Sequence, residues 1–80
     1  MEKPLRFTRH ARNRLRLRRV GVDLVEACLR QPEEQVRQPS GRINAWAKVA
    51  GSYLRVVYVE ETDALVVITV IYPAKPPKGG

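Results

Sequence analysis

The stretch Ala64 to Tyr72, ALVVITVIY, is the most hydrophobic in the chain, and its reading decides what fold the rest can make. It is far too short to span a bilayer as a helix, and its β-branched content favours a strand. Both alternating sets are apolar, with Leu65, Val67 and Ile71 on one expected face and Val66, Ile68 and Val70 on the other. Such a strand needs cover on both sides. Helices can cover one face of a small sheet, which leaves the second face to sheet curvature or to a second copy of the chain, so a homodimer through the sheet is one expectation. Pro73 is expected to end the strand, giving one domain over residues 1–73 and a flexible C-terminal tail over 74–80.

Reading back from this strand, Tyr53 to Glu60 and Ile43 to Ala50 form two more strand-length runs. The connections Glu61-Thr62-Asp63 and Gly51-Ser52 are of hairpin length, which predicts an antiparallel meander. PSGR, Pro39 to Arg42, reads as a turn, and Glu33 to Gln38 is a weak candidate for an additional edge strand.

Further upstream the apolar period becomes helical. In VDLVEACLRQP, Val22 to Pro32, the residues Leu24, Val25, Cys28 and Leu29 share one face, Asp23 and Glu26 have capping-box spacing, and Pro32 stops the helix. Thr8 is a suitable N-cap for an earlier helix from Arg9 to Val20, with Gly21 suited to a left-handed C-terminal position. A turn at Val20 to Val22 folds the two into a helical hairpin. The predicted class is therefore α+β, with two N-terminal helices packed on a three- to four-stranded antiparallel sheet in the order ααβββ.

Eighty residues allow one small core and no second domain. The net charge of +7 is unevenly placed: residues 1–20 hold eight basic side chains and one acid, whereas the remainder is balanced. That asymmetry can steer a polyanion to one side of the molecule. The single Cys28 fits a reduced, cytoplasmic thiol, and one Cys with one His makes a structural zinc site in one chain a poor expectation. No stretch has the pattern of a signal peptide, a membrane-spanning helix, a P-loop or an HExxH motif, and nothing specifies a cofactor.

Several spaced features together resemble a known family: FTRHARNRL from Phe7, RRVGVDLVEACLRQPEE from Arg18, the central Gly41-Arg42, and LRVVYVEETDALVVITVIYP from Leu54 to Pro73. The chain resembles a family of small bacterial domains of unknown function grouped with the RelE/ParE-like toxin superfamily, and is also similar to BrnT-type toxins. The resemblance implies two helices on an antiparallel sheet. It also implies a toxin-like role with a cognate antitoxin as partner, in a superfamily that includes endoribonucleases acting on messenger RNA, often on the ribosome, as well as inhibitors of other targets. Fold alone does not carry the activity.

Metal-independent RNA cleavage needs a proton-transfer group at the 2′-hydroxyl and the 5′-oxygen, with cations around the phosphate. His10, Arg14 and Arg18 recur at four-residue spacing along one side of helix 1, and with Arg55 on the sheet they are the candidate catalytic set. The alternative for His10 is a half-buried residue bonded where helix meets sheet. Arg9, Arg12, Arg16 and Arg19 form a broader stripe that suits phosphate attraction or plain solvation. Lys48, Trp46, Tyr58 and Tyr72 are candidate RNA contacts, with Trp46 and Tyr53 suited to stacking an unpaired base or to a protein interface. Superfamily ribonucleases also use a C-terminal catalytic segment, which has no counterpart after Tyr72. A non-catalytic protein-interaction module and a simple nucleic-acid-binding protein are the alternative functions.

Overall fold

A computed structural model describes residues 3–77. In chain order the elements are β1 (Leu5–Phe7), α1 (Arg9–Arg18), α2 (Val22–Arg30), β2 (Glu34–Arg37), β3 (Ile43–Val49), β4 (Ser52–Glu60) and β5 (Leu65–Ala74). The strands form one sheet in the order β1-β5-β4-β3-β2, in which β1 runs parallel to β5 and every other pair is antiparallel. The expected purely antiparallel sheet of three or four strands is thus corrected to a mixed sheet of five. β1 escapes a reading by pattern because LRF is too short to show alternation, and its partner, Leu65 to Val67, lies at the far end of the chain.

Thr8 caps α1 as its sequence position suggests, accepting the Ala11 N–H at 3.1 Å. The helix stops two residues earlier than expected, and the left-handed position falls on Arg19, at φ 54°, instead of Gly21. Val20 N–H donates to the Leu15 carbonyl and Arg19 N–H to that of Arg16, while the side chains of Leu15 and Val20 are both buried. That is a Schellman ending, with its hydrophobic contact in place. Gly21 instead sits at the N-cap of α2, where an added Cβ would collide with the Asp23 carboxylate. The capping box expected at Asp23 is therefore displaced: Asp23 lies inside the first turn, where its charge complements the helix N-terminus.

The helices rest on one sheet face instead of forming a hairpin against each other. α1 packs along β5 and α2 over β3 and β4. Ala11, Leu15, Val25 and Cys28 meet Ile43, Ala45, Leu54, Val56, Tyr58, Val67 and Val70 in a single core.

The last strand departs from simple alternation. Val57 pairs with Thr69 but its neighbour Tyr58 pairs with Val67, so Ile68 is an extra residue on β5. This bulge shifts the phase of the residues after it. Val67 and Val70 both point into the core, and Ile71 joins Val66 on the opposite face, correcting the expected assignment of Val70 and Ile71. Nor does Pro73 end the strand, which continues to Ala74 through a cis Tyr72–Pro73 peptide bond. Part of the expected tail, 78–80, lies outside the described residues.

Between β3 and β4 the loop is Ala50-Gly51, with φ values of 51° and 86°, flanked by the Val49–Ser52 pair. Two positive φ angles in a two-residue loop define a type I′ turn, for which Asn-Gly is favoured. Ala50→Asn is expected to stabilise the fold by about 1 kcal/mol, as the left-handed conformation is costly for alanine. Urea denaturation of the two proteins checks this.

Burial, with a smaller contribution from the Glu33 carboxylate, pushes the Cys28 thiol from its ordinary 9.0 up to about 11. The unfolded chain therefore ionises first, so stability is complete below pH 9 and falls as pH rises toward 11, by at most about 1.4 kcal/mol per unit. Burial also raises the Tyr58 hydroxyl, which adds to the decline above its ordinary value of 10.0. Thermal melts from pH 8 to 11 should show this slope, and Cys28→Ala should lessen it.

Candidate functional site on the open sheet face

β1 covers β5 only as far as Val67, and beyond it the edge is closed by α1 instead of a strand. Thr8 N–H donates to the Val67 carbonyl at 3.1 Å and its hydroxyl to that of Ile68 at 3.0 Å, while Arg14 Nε donates to the Val70 carbonyl at 3.3 Å. His10 Nε2 shares a 3.0 Å hydrogen bond with the Thr69 hydroxyl. The line His10, Arg14, Arg18 thus divides into three different environments. Arg14 is tied at Nε to backbone, His10 is exposed while held to Thr69, and Arg18 is exposed.

Thr69 pairs with Val57, and Arg55 pairs with Ile71 on one side and Trp46 on the other. Residues two apart on a strand share a face, so Thr69, Ile71, Val57, Arg55, Asn44 and Trp46 all lie on the face away from α2. Thr69 and Arg55 are diagonal neighbours, with backbones roughly 7–8 Å apart. His10 therefore overlooks the same open face as Arg55, from the rim formed by α1.

Arg55 is the best organised cation on that face. Its Nε donates to Asn44 Oδ1 at 2.8 Å, and its guanidinium carbon lies 5.5 Å from the centre of the Trp46 ring. Asn44 is only 2% exposed, whereas Arg55 and Trp46 are half-buried. Among the described residues no carboxylate pairs with Arg55. Two residues along the same face Lys48 lies 5.6 Å from the Tyr53 ring centre, and the Tyr53 hydroxyl donates to Glu33 at 3.3 Å.

Tyr58 and Tyr72, read from sequence as RNA contacts, lie on the core side of the sheet, away from Arg55. Tyr58 is buried and its hydroxyl accepts from Gln35 Nε2 at 2.6 Å; Tyr72 packs against the core and donates to the Val49 carbonyl at 2.9 Å. Arg9, Arg12 and Arg16 are exposed on α1, Arg12 lying 6.0 Å from the centre of the Phe7 ring. Asn44 and Thr69 carry no signal of their own in the sequence, because their partnership with Arg55 and His10 depends on register and on the bulge.

These features define a class: a small basic α+β domain with one sheet face under helices and the other open, carrying an anchored arginine, an aromatic ring and a rim histidine. The chain belongs to the family described as a domain of unknown function, DUF4258, whose pattern matches residues 7–72. No curated protein and no solved structure gives a match. Among the described residues no helix is long and apolar enough to cross a membrane.

Arg14→Ala should cost about 1 kcal/mol through loss of its bond to Val70 and leave a carbonyl at an uncovered strand edge. Urea denaturation reads the first effect. Light scattering at increasing concentration reads the second, as greater self-association than in the parent protein.

Proposed function

We propose that this protein is a RelE/ParE-like, toxin-type RNA-binding protein that works across its open sheet face as a metal-independent endoribonuclease. The observation that carries the proposal is the shared face of His10 and Arg55, beside a helix that concentrates the excess positive charge. An RNA strand drawn in by Arg9, Arg12 and Arg16 would lie with a phosphate at Arg55 and a ribose toward His10. His10 is then placed to take the 2′-hydroxyl proton as that oxygen attacks phosphorus, or to give a proton to the departing 5′-oxygen, with water exchanging the other proton. Arg55, with the outer nitrogens of Arg14 and Arg18 from the helix side, neutralises the phosphate in the transition state.

Cleavage of RNA by the purified protein, with and without ribosomes, tests the proposal. His10→Ala should cut slowly, by about a hundredfold or more, while keeping its affinity for RNA, whereas Arg55→Ala should lose both. Equal background cleavage by the parent protein and His10→Ala removes the catalytic role.

A second reading is favoured by the apolar residues Val59, Val66 and Ile68 of the open face and by Leu17, 72% exposed on α1. They suit a protein partner such as a cognate antitoxin, or a second copy of the chain. A stable complex formed without RNA affinity at physiological salt selects this reading.

A further inference from the structure

Arg55 is unusual for a half-buried residue on a central strand. A guanidinium in such a place ordinarily has a carboxylate partner, because removing a charge from water is costly unless it is compensated. Here a neutral, nearly buried amide holds Nε, and an indole supports the cation, while no described acid neutralises it. Asn44 uses its oxygen to fix the guanidinium and leaves the charge intact. The outer edge with its two terminal nitrogens is thereby preorganised for an anion with two oxygens.

The surroundings narrow the choice of anion. Trp46 and Tyr53 lie on the same face, each beside a cation and two residues from the next cross-strand pair. Isolated phosphate would have no use for the rings, and a duplex keeps the faces of its bases stacked within itself. An unpaired nucleotide can supply both a phosphate and a flat π-face. Glu33, bonded to the Tyr53 hydroxyl, makes the Tyr53 end less favourable for a phosphate, so the anion belongs at Arg55 and the strand leads from there toward α1.

We infer that Asn44, Trp46 and Arg55 form a base-and-phosphate clamp for single-stranded nucleic acid, in which a base stacks on Trp46, Arg55 takes the adjoining phosphate, and Asn44 is the positioning residue. The clamp rests on the reading of the open face as an RNA-binding surface, but it makes no use of the 2′-hydroxyl. It therefore accepts single-stranded DNA as well as RNA, and binding is separable from cleavage.

Trp46 is the only tryptophan, so its fluorescence reports on the clamp directly. The experiment titrates the full chain with an eight-nucleotide oligo(dA), the matching oligo(A), a DNA hairpin duplex, inorganic phosphate and poly-glutamate. Both single strands should change the Trp46 emission and bind at least tenfold more tightly than the duplex. Binding of labelled oligo(dA), read by anisotropy, should weaken roughly 5- to 100-fold in Trp46→Ala. Asn44→Asp keeps the shape of the side chain but gives Arg55 an acid partner, and like Arg55→Gln it should lower the slope of log affinity against log salt by about 0.7. Arg16→Gln should lower the slope similarly while leaving the Trp46 signal in place, and circular dichroism confirms that each variant is folded.

Silent Trp46 emission with equal affinity for single strand and duplex would overturn the clamp in favour of general attraction to α1. An equal Trp46 response to poly-glutamate would overturn it in favour of an acidic protein partner. Tight oligo(dA) binding with no RNA cleavage would support the clamp and remove only the catalytic proposal.

Discussion

The closure of the β5 edge beyond Phe7 is the constraint on which the rest of this structure depends. A three-residue β1 leaves most of a long apolar strand with exposed carbonyls, which would invite pairing with another chain. The chain closes the gap by turning from strand to helix at Thr8 and laying that helix along the same edge. One residue makes the change of geometry possible: the Thr8 side chain accepts from the new helix and donates to the old strand partner. Arg14 repeats the donation to the strand about one and two-thirds turns later.

The electrostatic character of the protein follows from this arrangement. A helix serving as an edge must keep only a narrow apolar stripe, here Ala11 and Leu15, because one flank meets strand backbone and the other meets water. The remaining positions are free for arginine, whose long aliphatic stems tolerate such a boundary while their charged heads stay hydrated. Without an acid in its first turn, and with repulsion among its own side chains, α1 would be weak in isolation. Its tertiary attachment to β5 lets the positive charge accumulate on one side of the molecule.

The principal elements are legible in the sequence where a local cause is written into local residues. Thr8 announces a helix start, Pro32 a stop, the apolar face of α2 its buried side, and the regular spacing of runs after Ile43 the three long strands. The illegible features depend on distant partners. β1 exists because Leu65 to Val67 offers an edge, and the open-face grouping of Thr69 with Arg55 requires a register shift that alternation cannot foretell. Among the candidate site residues, His10, Trp46 and Arg55 come to one face, while Tyr58 and Tyr72 are turned inward by the same pairings that define the core.

The extra residue at Ile68 works as a change of reading frame written into the backbone. Before it, odd-numbered β5 side chains face the helices; after it, even-numbered Val70 and Tyr72 do. Loss of Ile68 alone would restore plain alternation and keep every later side chain at its address, with Val70 still inward and Ile71 still outward, but it would remove the carbonyl that the Thr8 hydroxyl uses. A residue gained or lost between this bulge and the second register shift, which lies between the Arg55–Ile71 and Tyr53–Ala74 pairs, has no such remedy, because it exchanges core and open-face positions along that stretch. Related chains that keep this architecture can therefore differ by one residue in β5 at the Ile68 bulge, and those that lack the bulge should no longer need a hydroxyl at the position of Thr8 to close the edge, only to cap the helix.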